Sequence, residues 1–149
     1  MGYGSTLIGY QPPAGPSGGA VILTAARTVL ASENGKTFFL NLAAGFAVTL
    51  PPPALGLKYK FVVMLSPTGS YTIVTSGSSN ILCGQVLTVD VNSATDPGFT
   101  ATADQDTITF VLNKSVKGDW CELECDGTSW EARCSASVFD AITLTQASA

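Results

Sequence analysis

The side chains that could do chemistry in this chain are few, and the most versatile of them is missing. There is no histidine among the 149 residues. That removes the commonest general base, the usual partner of a nucleophilic serine or cysteine, and the commonest nitrogen ligand for zinc. Asp90, Asp96, Asp104 and Asp106 fall in or beside one stretch. Paired carboxylates can hydrolyse a glycosidic bond or bind calcium. Here Asp104-Gln105-Asp106 matches only a fragment of a calcium loop, and a solvated acidic loop accounts for it as well. Trp120 and Trp130 could stack on sugars; their positions in strands instead suggest one in the core and one at a surface or interface. No glycine-rich phosphate loop stands between a strand and a helix. No catalytic, cofactor-binding or metal-binding residue is therefore assigned, and the chain is expected not to be an enzyme.

Cysteine is the remaining reactive type, at Cys83, Cys121, Cys125 and Cys134. Three of these lie in WCELECDGTSWEARCSA, which permits a register argument. With a loop at Asp126 to Ser129, Cys125 faces Trp130, Leu123 faces Ala132, and Cys121 faces Cys134. One face is then apolar throughout, while Glu122 meets Arg133 on the other. A tighter loop at Asp126-Gly127 would set Glu122 against Glu131. The first register is better, although it places Glu124 opposite Glu131. It brings Cys121 and Cys134 close enough for a cross-strand disulfide. The alternative is four reduced thiols buried as small hydrophobes, which suits a chain made in a reducing cytosol without a secretory leader. A four-cysteine zinc site fits poorly, because Cys121 and Cys125 on a strand lack the short knuckle spacing.

The elements that position these residues read as β throughout. Val21 to Thr24 is a short strand, and Asn34-Gly35 is a turn signal. Phe38, Leu40 and Leu42 share one strand face, and Phe46, Val48 and Leu50 share the next. Pro51-Pro52-Pro53 stops that strand. Tyr59, Phe61, Val63 and Leu65 form one face of a further strand, with Lys58 and Lys60 on the other. Tyr71, Ile73 and Thr75 alternate next. Gly84 interrupts the apolar run from Ile81 to Val91, which predicts a bulge or bend. Asn92 to Asp106 reads as a polar loop. Ile108, Phe110 and Leu112 give another strand, the Cys-rich hairpin follows, and Asp140 to Ala149 reads as a light tail. Ala25 to Ala31 could form at most one helical turn. Short strands at this spacing predict an all-β domain, an antiparallel β-sandwich or barrel, over residues 20–149. A jelly-roll arrangement is compatible with it.

Residues 1–19 read differently. GYGSTLIGYQPPAGPSGG has no charge and is dense in Gly and Pro, so neither a helix nor a fixed strand is favoured. Tyr3, Leu7, Ile8 and Tyr10 are apolar anchors that a plain linker would not need. With Pro12 and Pro13 they mark an extended arm that orders on a partner. Fully extended, such an arm reaches about 60 Å.

Composition points the same way. Hydrophobic residues make up 46% of the chain and charged residues only 12%, against about 25% charged in an average domain. So few charges suggest that part of the surface is covered by partners. The net charge is −4 with no basic run, which argues against nucleic acid as a partner. No stretch approaches the roughly 18 apolar residues of a membrane span.

Three segments together carry a resemblance. GKTFFLNLAAGFAVTLPPPALGLKYKFVV, then YTIVTSGSSNILCG, then DTITFVLNKSVKGDWCELECDGTSWEARCSA resemble small β-rich structural proteins of tailed bacteriophages. Their shared pattern is a G-K-T-F-L strand, a T-L-P-x-P-x-x-G turn, an aromatic-Lys-Phe strand and a G-D-W…D-G-T-x-W hairpin. The likeness covers about residues 27–139 and leaves out the arm. It implies a virion component made in the bacterial cytoplasm: a capsid decoration or cement protein bound to the major capsid protein, commonly as a homotrimer. A tail, baseplate or fibre module that binds host glycans is the alternative it implies.

Overall fold

The computed structural model describes residues 19–90 and 99–146. Among the described residues there are twelve strands: β1 (Ala20–Leu23), β2 (Arg27–Thr28), β3 (Thr37–Leu40), β4 (Ala47–Thr49), β5 (Lys58–Val63), β6 (Tyr71–Val74), β7 (Leu82–Thr88), β8 (Phe99–Gln105), β9 (Thr107–Phe110), β10 (Trp120–Cys125), β11 (Trp130–Ala136) and β12 (Ile142–Thr145). They form a seven-stranded sheet in the order β1-β3-β5-β10-β11-β7-β8 and a five-stranded sheet in the order β12-β9-β6-β4-β2. The two sheets pack over one shared core, so the all-β sandwich expected from the strand pattern is present.

Within that sandwich both sheets are mixed, where the sequence reading expected antiparallel strands. β1 pairs in parallel with β3, and β3 with β5, in the larger sheet; β2 with β4, and β4 with β6, do so in the smaller. The physical reason is the route of the chain. From β1 to β6 each successive strand enters the opposite sheet. Parallel neighbours need a long crossover, and here a strand of the other sheet supplies it. The later part of the chain returns to hairpins, with β7–β8 and β10–β11 antiparallel.

Inward-facing residues follow the period of 2. In β5, Tyr59, Phe61 and Val63 are buried, and in β3 Phe38 and Leu40 are. Phe38 stacks on Phe61 with ring centroids 5.3 Å apart, and Tyr59 lies 5.8 Å from Trp130. Phe46 meets Tyr71 edge-on at 5.1 Å from the other sheet's side. Burying a large apolar side chain contributes about 1.5–3 kcal/mol, so these aromatics dominate the stability of the sandwich.

Other differences from the sequence reading have local causes. Leu42, Leu65 and Leu112 do not continue their strand faces; they lie past the strand ends and are exposed. The Tyr71 hydroxyl accepts from the Leu42 N–H at 3.0 Å and donates to the Leu65 carbonyl at 2.9 Å, so it holds both segments where β3 and β5 stop. The short turn near residue 30 is a 3-10 turn at Ala31–Glu33 rather than within Ala25 to Ala31, and Arg27–Thr28 is strand. Part of the expected polar loop, Phe99–Gln105, is strand β8, and the tail contains strand β12. The bulge expected at Gly84 is present between Leu82 and Gly84. A Cβ at Gly84 would lie 2.4 Å from the Ala132 carbonyl oxygen, so only glycine allows this close approach.

Candidate interaction surface

The residues that sequence reasoning singled out are distributed as follows. Tyr3, Leu7, Ile8, Tyr10, Pro12 and Pro13 lie outside the described residues. Cys121 and Cys134 are direct partners in the β10–β11 register, as the hairpin argument requires, and Glu122 faces Arg133. Both cysteines are buried, and all four thiols of the chain are free. Burial pushes the Cys121 thiol well above its ordinary range, reinforced by its hydrogen bond with Cys134. Burial likewise raises Cys83 to about 11, helped by its contact with Glu131. Neither is poised as a thiolate nucleophile.

The acidic stretch divides. Asp96 is outside the described residues. Asp106 is fully buried and accepts from the Thr107 hydroxyl at 2.6 Å. Asp104 sits on β8 with a positive φ of 58°. Among the described residues no three His, Cys, Asp or Glu side chains converge in a way that could hold a metal ion. Trp130 is fully buried and Trp120 is half-buried on the outside of the same sheet, as expected of one core and one surface tryptophan.

The surface with most to offer a partner is the outer face of the seven-stranded sheet. The registers align Ile22 in β1 with Phe39, Phe39 with Val62, Val62 with Trp120, Trp120 with Ser135, and Ser135 with Leu87. Strands alternate their side chains between faces. Because Phe38, Phe61, Cys121 and Cys134 point inward, this row points out. Ile22 is 56% exposed and Leu87 52%, while Phe39, Val62 and Trp120 are half-buried against one another. An apolar row therefore crosses the sheet, broken only by Ser135. At the β1 edge it opens into a shallow, mainly apolar depression of about 490 Å³, bounded by Ala20, Ile22, Phe39, Val62, Met64 and Lys117.

The neighbouring row is charged. Thr37, Lys60, Glu122, Arg133 and Gln85 align across the same strands. Lys60 lays its ammonium 4.6 Å from the Trp120 ring centroid, and Lys58 pairs with Glu124 at 3.2 Å. An exposed ion pair of this kind contributes about 0–1 kcal/mol, so these charges add little to the stability of the fold. Lys36, Lys58 and Lys60 also border an open depression of about 420 Å³ beside Asn34 and Gly35.

This apolar row was missed by sequence reasoning, although a signal was present. Phe38-Phe39 and Phe61-Val62-Val63 are consecutive apolar residues in strands. With a period of 2, one member of each run must face outward. No protein-family model, curated protein or solved structure matches the chain.

Proposed function

We propose that the protein is a non-enzymatic structural component of a phage-type virion: a decoration or cement protein on the outer surface of the head. It bridges neighbouring subunits of the major capsid protein and adds buried area across their joints. Self-association, as a homotrimer at a symmetric position, belongs to the same proposal. The apolar row Ile22–Phe39–Val62–Trp120 on an outward sheet face is the observation that carries it, since contiguous exposed apolar surface marks interaction sites. The low charge content and the arm anchors Tyr3, Leu7, Ile8 and Tyr10 support it. So does the resemblance of residues 27–139 to phage structural proteins. Many copies on a symmetric shell make individually weak contacts collectively strong.

The test is co-sedimentation of purified protein with decorated-protein-free heads, followed by cryo-EM of the heads that bind. Saturable binding with density at regular positions on the shell is expected. Absence of binding overturns the proposal. A second reading, a tail or fibre module that binds host glycans, is favoured by the partly exposed Trp120 ring on the same face, because aromatic rings stack on sugars. Density at the tail together with hits on a glycan array would select it.

A further inference from the structure

We infer that the apolar row on the outer face of the seven-stranded sheet is the seat for the N-terminal arm of a second copy of this chain. The inference deepens the attachment proposal and rests on it for the purpose of the arm, but it concerns contacts between copies and is tested without any capsid.

The argument begins where the arm joins the body. Gly19, at φ 65°, immediately precedes β1, and its carbonyl accepts from the Thr37 N–H at 3.0 Å. Ala20 and Ile22, the first strand residues after it, border the apolar depression. The first described residues thus place the start of β1 at the brim of this apolar depression. The chemistry of the two matches. Gly2 to Gly18 carries no charged side chain, so nothing in it needs desolvating at cost against Ile22, Phe39, Val62 and Trp120. Its large apolar residues, Tyr3, Leu7, Ile8 and Tyr10, fall in its first ten positions.

Length then decides between a chain's own face and a neighbour's. Between the anchors and β1 stand Gln11 to Gly18, with Pro12, Pro13 and Pro16. A proline-rich spacer of that length in extended form spans about 25 Å. The strands β1, β3, β5 and β10, which carry the unbroken apolar part of the row, span only about 14 Å from first to last. An arm laid straight back across its own sheet in that extended form would carry Tyr10 beyond Trp120, to the level of Ser135 and Leu87. Its remaining anchors would overshoot the row entirely. The same reach would bring the anchors onto an adjacent copy, where their position is not fixed by their own point of attachment. Prolines also lower the entropy lost when such a segment is ordered.

The experiment uses full-length protein and three variants, with molar mass measured by analytical ultracentrifugation. An arm variant carries Leu7→Asp with Ile8→Asp. Two face variants carry Ile22→Lys or Phe39→Lys; Ile22 is already 56% exposed, and near-UV circular dichroism checks each fold. The parent chain is expected to self-associate, and each variant to weaken association at least tenfold. Mixing the arm variant with the Ile22→Lys chain should restore a complex weaker than the parent's, since one supplies an intact face and the other an intact arm. A monomeric parent overturns the inference. So does an arm variant that associates as well as the parent, which would point to face-to-face packing, or a mixture that stays monomeric, which would point to docking on the chain's own sheet. Capsid binding that survives any of these outcomes leaves the attachment proposal standing by itself.

Discussion

Phe38 and Phe39 are neighbours in β3, but they belong to different regions of the molecule. Phe38 is fully buried against Phe61, with an Arg27 guanidinium 5.7 Å from its ring centroid. Phe39 lies on the outer face between Ile22 and Val62. The inner face of the sheet is closed by the second sheet, so its apolar area is already removed from water. The apolar row of the outer face has the same chemistry, and among the described residues no second sheet packs over it. The difference teaches that hydrophobicity alone does not say what a residue is for: on one side it supplies stability, on the other an unused capacity to bind.

The largest effect should come from the inner side. Phe61→Ala is expected to destabilise by about 3–5 kcal/mol, the transfer and cavity loss of a buried ring. Phe39→Ala should cost only about 1 kcal/mol, because a half-buried ring gains correspondingly less from folding. Chemical denaturation read by circular dichroism measures both. Equal losses would break the distinction between the faces.

Asp119 tests how the outer row is held at its β10 end. The buried Asp119 carboxylate accepts from the Val116 N–H at 3.1 Å and the Ser137 N–H at 2.9 Å. It ties the turn that leads into Trp120 to the segment following β11. Asp119→Ala strands two backbone donors and is expected to cost about 1–3 kcal/mol. Asp119→Asn retains one acceptor oxygen and should recover part of that in the same denaturation experiment. Equal losses for the two variants would remove the carboxylate from this role.

How much of this was legible in the sequence follows from locality. The β10–β11 hairpin could be read residue by residue, because its turn and both strands are contiguous and the observed register pairs Glu122 with Arg133 where the tighter loop would set it against Glu131. The parallel pairing of β1, β3 and β5 could not, because the strands that pair are separated by excursions into the other sheet and no turn chemistry records the pairing. Strand β12 was passed over although Ile142, Thr143, Leu144 and Thr145 alternate, since four residues after small-residue turns give a weak signal. Of the surface, the burial of Trp130 against the exposure of Trp120 was foreseen in kind. The apolar row was not, because it exists only once non-adjacent strands are aligned.

A smaller effect concerns pH at the end of the core where Arg27 and the 3-10 turn meet. Burial pushes the Glu33 carboxyl upward, but the Leu30 N–H at 3.0 Å, Arg27 and Lys36 outweigh it and hold it below the usual 4.5. A depressed carboxylate contributes stability that is fully present above 4.5 and lost as pH falls through its lower folded value. Glu33→Gln should therefore destabilise at neutral pH and converge with the parent in strong acid. Unfolding midpoints across that range give the comparison. A gap that does not shrink on acidification would show that the charge of Glu33 is not what stabilises this corner.

The smallest effect separates the two faces most directly, because the chain has two tryptophans and the sheet places one on each side. Trp130 is fully buried beside Tyr59, whereas Trp120 is half-buried beneath the Lys60 ammonium. Trp120→Phe weakens a cation–π contact worth about 0.5–1 kcal/mol at an exposed site and leaves the core untouched, so stability should barely move. Fluorescence should move a great deal. Acrylamide is expected to quench a Trp120 component in the parent diluted until its copies separate, and to find almost none in Trp120→Phe, whose only indole is enclosed. The association state sharpens this further. If an arm from a second copy covers the row, Trp120 in the associated protein should be protected from acrylamide and should become quenchable in the Leu7→Asp with Ile8→Asp variant. Trp120 that is quenched equally in both would mean that whatever joins the copies leaves this face open, and the arm would not be seated on the apolar row.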